Sequence, residues 1–343
     1  MKEVVVVSPH KVEVRDVPVP EIQNEYAVLI KMKSAGVCGS DFHIYHGTNP
    51  CSTYPRIPGH ENAGIVEAVG NKVTKVKVGD HVIVDLIMTC GTCYQCKSGR
   101  RNVCENVRVR GSGAEGGWRE YFTAPESEVY KINQDVSWQD AALVEPFAIG
   151  AHCTSRGRVV PEDKVLILGA GTIGSIILQT CKAIGCKSII CADISDSSLA
   201  RAKEYGADHV INTKNENLVN RIQDITGGKG VTIAFDSACF KGSLTLIMQP
   251  GIVCNAGRVV PMGFVTEPET ITQAMINQRE LDIIGSRMSC FQFEPTIKHM
   301  ENNDFNLNGI ATNIIKFSNI QEVFNKMDHP DPAVKKIVIL FDE

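Results

Sequence analysis

Short apolar runs broken by glycine and proline fill the first 150 residues. Val4–Val7, Val12–Val17, Ala27–Lys33, Gly64–Val69 and His81–Val84 each have the length and β-branched content of a strand, and together they predict a half-buried antiparallel barrel. The period then lengthens. Lys164–Leu168 reads as a buried strand, and after it Ile176, Ile177, Thr180, Cys181 and Ile184 recur on one helical face. Strand and helix signals go on alternating: Ser188–Ala192, His209–Ile211, a polar helix around Asn217–Thr226, Val231–Asp236, Gly257–Met262 and Leu281–Ser286. Such alternation builds a doubly wound parallel sheet. A helix near Pro295–Asn302 and strands near Ile314–Phe317 and Lys336–Phe341 follow. The expected division is a first domain over 1–150, a second, doubly wound domain over 151–286, and a return to the first domain over 287–343.

The totals narrow the function classes. A chain of 343 residues is comfortable for two cores. A net charge of −4 implies no nucleic-acid or anionic-membrane partner. The longest apolar runs are strand-sized, far short of a membrane span. Met1–Lys2–Glu3 leads directly into a strand pattern without a signal peptide, so a cytoplasmic location is expected. In a reducing compartment, thirteen cysteines argue for metal sites and buried thiols over a disulfide framework.

Gly36–Val37–Cys38–Gly39–Ser40–Asp41–Phe42–His43 places a soft ligand, a hydroxyl and an imidazole in one turn-sized segment. Gly59–His60–Glu61 adds a second imidazole and a carboxylate. Thiolate, imidazole and carboxylate suit zinc with an open coordination position, and an open position means chemistry. Cys90, Cys93, Cys96 and Cys104 follow C-x2-C-x2-C-x7-C, enough to close a tetrahedron around a second, structural zinc in a lobe over 88–105. The other cysteines (Cys51, Cys153, Cys181, Cys186, Cys191, Cys239, Cys254, Cys290) are read as small buried hydrophobes. Gly169–Ala170–Gly171–Thr172–Ile173–Gly174 ends a strand and opens a helix, and Asp193 lies 19 positions beyond Gly174. Those glycines admit a pyrophosphate at the helix N-terminus, and Asp193 would accept bonds from an adenosine ribose. Ile194 and Ser195 offer no arginine for a 2′-phosphate, so NAD is favoured over NADP.

These motifs, together with Glu145–Pro146–Phe147, make the whole chain resemble the zinc-containing medium-chain dehydrogenases, relatives of alcohol, sorbitol and threonine dehydrogenases. The resemblance implies a chaperonin-10-like (GroES-like) β-barrel catalytic domain with an inserted Rossmann NAD-binding domain. It further implies that Cys38 and His60 ligate the catalytic zinc and that Glu61 or Glu145, with water, completes the shell. Which carboxylate binds is left open. Ser40 and His43 match the proton relay, and Asp236, Met262 and Gly263 join the glycine loop and Asp193 as cofactor positions. Asn102–Glu105, Ala142–Ile149 and Gly285–Arg287 are similar to sugar-acid dehydrogenases of the L-galactonate and L-gulonate 5-dehydrogenase type and a starvation-sensing relative. A homodimer or homotetramer is expected.

The implied reaction is reversible oxidation of a secondary alcohol to a ketone, with hydride passing to nicotinamide and the proton leaving through Ser40 and His43. Such chemistry needs a cleft closed to water, a feature of domain interfaces. The expected substrate is a small sugar acid whose carboxylate is held by Arg287, with Arg110 and Arg119 as further candidates. The alternatives are a sorbitol-like polyol or threonine as substrate, or a non-enzymatic NAD-sensing regulator with a zinc module.

Overall fold

The computed structural model describes residues 1–331 and 333–342. The valine run at the N-terminus forms β1 (Lys2–Ser8), antiparallel to β2 (Lys11–Asp16). β3 (Ala27–Val37) is almost wholly buried and therefore carries an apolar run instead of alternation. α1 (Gly39–Tyr45) follows, then β4 (Glu61–Val69), β5 (His81–Val84) and β6 (Ile87–Met88). α2 (Tyr94–Lys97), β7 (Arg108–Val109), β8 (Tyr121–Pro125), β9 (Val129–Lys131) and α3 (Trp138–Ala141) lead to α4 (Val144–Arg156).

The parallel sheet is built from β10 (Lys164–Leu168), α5 (Thr172–Ile184), β11 (Ser188–Asp193), α6 (Asp196–Glu204), β12 (His209–Asn212), α7 (Leu218–Thr226) and β13 (Val231–Asp236). α8 (Ser243–Ile247), β14 (Val253–Pro261), α9 (Gln273–Asn277) and β15 (Asp282–Ile283) complete it. α10 (Phe293–Glu301), β16 (Asn313–Lys316), α11 (Gln321–Asp328) and β17 (Ile337–Leu340) follow.

Two units result. One comprises Met1–Glu145, Phe293–Asn303 and the chain from Leu307 onward; the other comprises Pro146–Gln292 with Asp304–Asn306. In the first, one sheet runs β16-β17-β3-β4-β5-β9, with β8 also on β3. β3 is long enough to hold two neighbours along one edge: β8 pairs with Ala27–Lys31 and β17 with Ser34–Val37. A core containing Val4, Ile30, Met32, Trp118, Phe122 and Phe324 lies within this unit. The strand expected over Ala27–Lys33 extends to Val37 because Ser34, Ala35 and Gly36 are buried too, as small side chains are when another strand packs close.

In the second unit all strands are parallel, in the order β12-β11-β10-β13-β14-β15. This is the 3-2-1-4-5-6 order of the Rossmann fold. Leu166, Ile190, Ile211, Ile222, Ala234 and Val259 belong to its core. The strand expected over Leu281–Ser286 shortens to Asp282–Ile283, an edge pair whose side chains are exposed. Among the described residues, no helix is long and apolar enough to cross a membrane.

Candidate active site and metal centres

Strand pairing brings the first ligand set together. Gly36 of β3 sits opposite Glu61 of β4, so the residues just past this pair, Cys38 on one chain segment and His60 on the other, emerge at the same end of the sheet. One ligand atom from each of Cys38, His60 and Glu61 lies within 4.8 Å of the other two. Gly36 makes room for Glu61: a Cβ there would stand 1.8 Å from Glu61 Oε2 and would displace that carboxylate. His60 and Glu61 are buried, and Cys38 is half-buried.

Two further charged residues shape the set. Asp41, in the first turn of α1, accepts from the Cys38 backbone N–H through Oδ2 (2.9 Å) and from the Gly59 N–H through Oδ1 (3.2 Å). Its Oδ1 lies 3.8 Å from His60 Nδ1. Lys336, just before β17, donates from Nζ to the Val37 carbonyl (3.1 Å) and to Glu61 Oε1. The opposite carboxylate oxygen, Glu61 Oε2, is buried without a protein partner.

The electrostatics follow from this crowding. Burial opposes the His60 imidazolium, but Asp41 and the Cys38 thiolate outweigh it and hold His60 well above the usual histidine range. Burial likewise opposes the Cys38 thiolate, yet the charge and hydrogen bond of His60 pull its pKa below that of a free thiol. Burial, then the negative charge of Glu61, pushes the buried Glu145 up to about 8. Thiolate, imidazole and a buried carboxylate oxygen without a partner match the donor set of a zinc ion, whose charge would relieve the repulsion among these groups. Glu145 interacts with this set through its charge, although the trio within 4.8 Å is Cys38, His60 and Glu61.

Ser40 and His43 lie three residues apart on α1, a spacing that makes them neighbours on the helix surface. Ser40 is half-buried and His43 exposed. His43 Nδ1 bonds Thr48 Oγ1 at 2.8 Å.

The four-cysteine segment folds as a lobe between β6 and β7. Cys90, Cys93, Cys96 and Cys104 bring their sulfurs within 4.8 Å of one another. Cys104 Sγ lies 3.5 Å from Cys90 Sγ and 3.7 Å from Cys93 Sγ. Sulfurs bound to one tetrahedral zinc at about 2.3 Å would lie ~3.8 Å apart. Backbone N–H groups of Cys93 and Asn106 donate to Cys90 and Cys104 sulfurs at 3.4 and 3.3 Å, which favours thiolates. The four compete for charge: hydrogen bonds from Thr92 pull Cys90 down to about 5, while burial and Cys93 push Cys96 up to about 12. A zinc ion would let all four ionise, so the donor set fits it.

In the second unit the glycine loop joins β10 to α5. Gly174 is forced by close approach, since a Cβ there would stand 1.8 Å from the Gly169 carbonyl oxygen. No side chain caps the first turn of α5 at Gly171, leaving N–H groups for an anion such as a pyrophosphate. Thr172 and Ile173 open that helix. At the end of β11, Asp193 accepts from the Ala170 N–H (2.7 Å) and the Ser195 N–H (2.8 Å), which orients its carboxylate beside the loop. These features fit a dinucleotide. Asp236, at the end of β13, is buried, and its carboxylate accepts from Cys239 N–H (3.2 Å) and Ser243 Oγ (2.5 Å). Asp236 and Gly263 line a cavity of about 270 Å³, and Met262 N–H donates to the Asp236 carbonyl at 3.0 Å.

Several sequence expectations need correction or addition. Arg110 is buried, its guanidinium paired with Glu128 and placed 4.7 Å over the Phe122 ring, so it is not available to a substrate carboxylate. Arg119 Nε donates to the Gly116 carbonyl at 3.0 Å. Arg287 is exposed, past β15 of the second unit. Of the cysteines expected to be buried, Cys51 is exposed and Cys239 and Cys254 are half-buried, while Cys153, Cys181, Cys186, Cys191 and Cys290 are buried. Sequence reasoning missed Lys336 and Thr48. A lysine next to a strand carries no local sign of its partner, whereas Thr48 stands only five residues from His43.

Comparison with known proteins bears on the same residues. The family model described as "Alcohol dehydrogenase GroES-like domain" matches 24–134, and that described as "Zinc-binding dehydrogenase" matches 172–302. The chain is 35% identical to the starvation-sensing protein RspB of Escherichia coli K12, over 100% of both chains. It is 33% identical to a sorbitol dehydrogenase of Bacillus subtilis, over 83% of this chain and 81% of that one. It also superposes on the crystal structure of the rspB alcohol dehydrogenase of E. coli CFT073, complexed with NADH, with a TM-score of 0.89, 35% identity and 99% of each chain covered. With its GroES-like and Rossmann units and two clusters of side chains suited to zinc, the chain belongs to the zinc-binding alcohol dehydrogenases of the medium-chain family, which are oxidoreductases.

Proposed function

We propose that this zinc- and NAD-dependent alcohol dehydrogenase oxidises a secondary hydroxyl of a small sugar acid of the L-gulonate or L-galactonate type, at a carbon remote from the carboxylate. The Cys38–His60–Glu61 set, with Glu61 Oε2 buried and lacking a protein partner, is the observation that carries the dehydrogenase reading. Cys38, His60 and Glu61 would hold the catalytic zinc, with Glu145 in reserve, and Cys90, Cys93, Cys96 and Cys104 the structural one, two ions per chain. Bound zinc supplies Lewis acidity toward a hydroxyl oxygen, and bound NAD supplies a hydride acceptor. The balance is one secondary alcohol and NAD⁺ giving one ketone, NADH and one proton.

The chain's own residues handle that proton. Ser40 Oγ accepts it from the substrate hydroxyl and passes it toward His43. Thr48 Oγ1 engages His43 Nδ1 at 2.8 Å, so Nε2 is the ring nitrogen left to face the relay. Asp41 keeps Cys38 and Gly59, and through them the thiolate and imidazole, in register. Asp193 receives the adenosine ribose and the first turn of α5 receives the pyrophosphate; Asp236, Met262 and Gly263 complete the cofactor side.

The sugar-acid reading rests on a carboxylate at Glu145, where alcohol dehydrogenases usually carry cysteine, and on Arg287 as the cation for the substrate carboxylate. A hard, hydrated shell suits a polyhydroxylated substrate. The second reading is a neutral polyol, favoured by the 33% identity to a sorbitol dehydrogenase and by the commitment of Arg110 to Glu128. NADH formation across matched aldonates and alditols separates them. The aldonate should be oxidised faster, and Arg287→Ala should raise KM for the aldonate by roughly tenfold or more while sparing the alditol. Alditols outperforming every aldonate would leave the polyol reading.

A further inference from the structure

A third group of ligand-type side chains lies in the first unit, outside both sets above. His10 comes from the turn between β1 and β2, His46 from the C-terminal cap of α1, and Asp328 from the last residue of α11. One ligand atom of each lies within 4.8 Å of the other two. His10 Nδ1 stands 3.5 Å from Asp328 Oδ1, and the His10 and His46 ring centroids are 4.9 Å apart.

Two of the three are held from behind. Tyr45 donates its hydroxyl to Asp328 Oδ2 at 2.9 Å, which leaves Oδ1 facing His10. His46 Nε2 donates to the Met327 carbonyl at 3.2 Å, which places the ring proton on Nε2 and leaves the Nδ1 lone pair for a ligand. Outer hydrogen bonds of this kind fix the tautomer and orientation of metal-binding histidines and carboxylates. The Tyr45 ring packs edge-on to His10, with centroids 5.1 Å apart, and so walls one side of the group.

We propose that His10, His46 and Asp328 form a third zinc site, which ties the β1–β2 turn to the C-terminal ends of α1 and α11. Two imidazoles and one carboxylate suit zinc and disfavour calcium or magnesium, which prefer shells made of oxygen. Nitrogen and oxygen ligands bound to a tetrahedral zinc at about 2.0 Å lie ~3.3 Å apart, so His10 and Asp328 already stand near that spacing at 3.5 Å and no pair in the group has to close by more than about 1.5 Å. The His10 and Asp328 side chains, 57% and 37% exposed, are free to swing that far. Water takes the fourth position. α1 carries Cys38 at its N-cap and His46 at its C-cap, so the third ion holds the far end of the helix that begins at the candidate catalytic ligand.

The test uses full-length, tag-free protein dialysed exhaustively without chelator, so that tightly held zinc stays in place. Equilibrium dialysis against Zn²⁺ then measures uptake beyond that content in the parent, His10→Asn and Asp328→Asn. Asparagine is chosen because residue 10 has φ 59°, a left-handed conformation that asparagine tolerates. The parent should take up one further equivalent per chain. Each variant should bind it more than about tenfold more weakly. The thermal midpoint of the parent alone should rise with added Zn²⁺. Titration of the parent followed by NMR gives a readout independent of any variant's folding: the His10 and His46 ring signals should move with the added equivalent. No uptake by the parent, the same affinity in both variants, or unmoved ring signals would overturn the site.

Discussion

Lys336 and Glu61 lie 275 positions apart, yet their side chains, 5% and 1% exposed, form a buried ion pair. Burial disfavours the ammonium, but Glu61 and Cys38 more than offset this and raise the Lys336 pKa. The same Nζ holds the Val37 carbonyl, one residue before Cys38, so a single lysine fixes both the Glu61 carboxylate and the backbone leading to the Cys38 thiol. Removing one partner of such a pair leaves an uncompensated buried charge. Lys336→Met should therefore cost about 3–5 kcal/mol in urea unfolding, and the double variant Lys336→Met/Glu61→Gln should recover part of that loss. Equal unfolding midpoints for Lys336→Met and the parent would mean that the pair carries no stability. Cys38, His60 and Glu61 are legible in the sequence because they stand in short, chemically dense segments. Lys336 is not legible there, because its partner is chosen by the pairing of β17 with β3.

At the scale of elements, the lobe and α1 use cysteine differently. The lobe has only short elements, α2, a 3₁₀ turn over Arg101–Val103 and the two-residue strands β6 and β7 that flank it, and three of its four cysteines are exposed or half-buried. With so little apolar burial, four sulfurs sharing one ion would supply most of its order. Cys38, by contrast, caps a helix seated on the main core through the buried Ile44 and Tyr45. Cys96→Ser should thus lower the thermal midpoint and remove one zinc equivalent, since a structural zinc contributes folding free energy directly. Cys38→Ser should remove the other equivalent and turnover while leaving the midpoint within a few degrees of the parent. Elemental analysis beside calorimetry checks both, and the reverse pattern would exchange the roles of the two sets. The lobe is legible from spacing alone because its ligands fall within fifteen residues.

At the scale of the whole molecule, each unit encloses a core of its own, and the side chains fitted to each cofactor sit in different units. Ligand stabilisation should therefore be local. NADH should slow hydrogen exchange most in β10, the glycine loop and α5, because binding to the native state adds its free energy to the openings that destroy the site. A zinc chelator should speed exchange first in the lobe over 88–105. Exchange read by peptide mass spectrometry checks this, and uniform protection or deprotection over both units would contradict it.

Contiguous windows of the chain encode a first set of features. The strand-to-helix change of period marks the Rossmann sheet, the glycine spacing and Asp193 mark the dinucleotide loop, and the spacing of four cysteines marks the lobe. Each depends on residues close enough in the chain for backbone geometry to relate them. Which distant groups share a low-dielectric site follows instead from strand pairing and burial. Pairing of β3 with β4 joined Cys38 to Glu61 and set Gly36 against the Glu61 carboxylate, and β17 brought Lys336. The pairing of Arg110 with Glu128 removed a cation that looked free. The turn at His10, the end of α1 and the end of α11 converged on a third ligand group. Local propensity carries none of this, because burial and long-range strand register set which charges meet and therefore what their pKa values become.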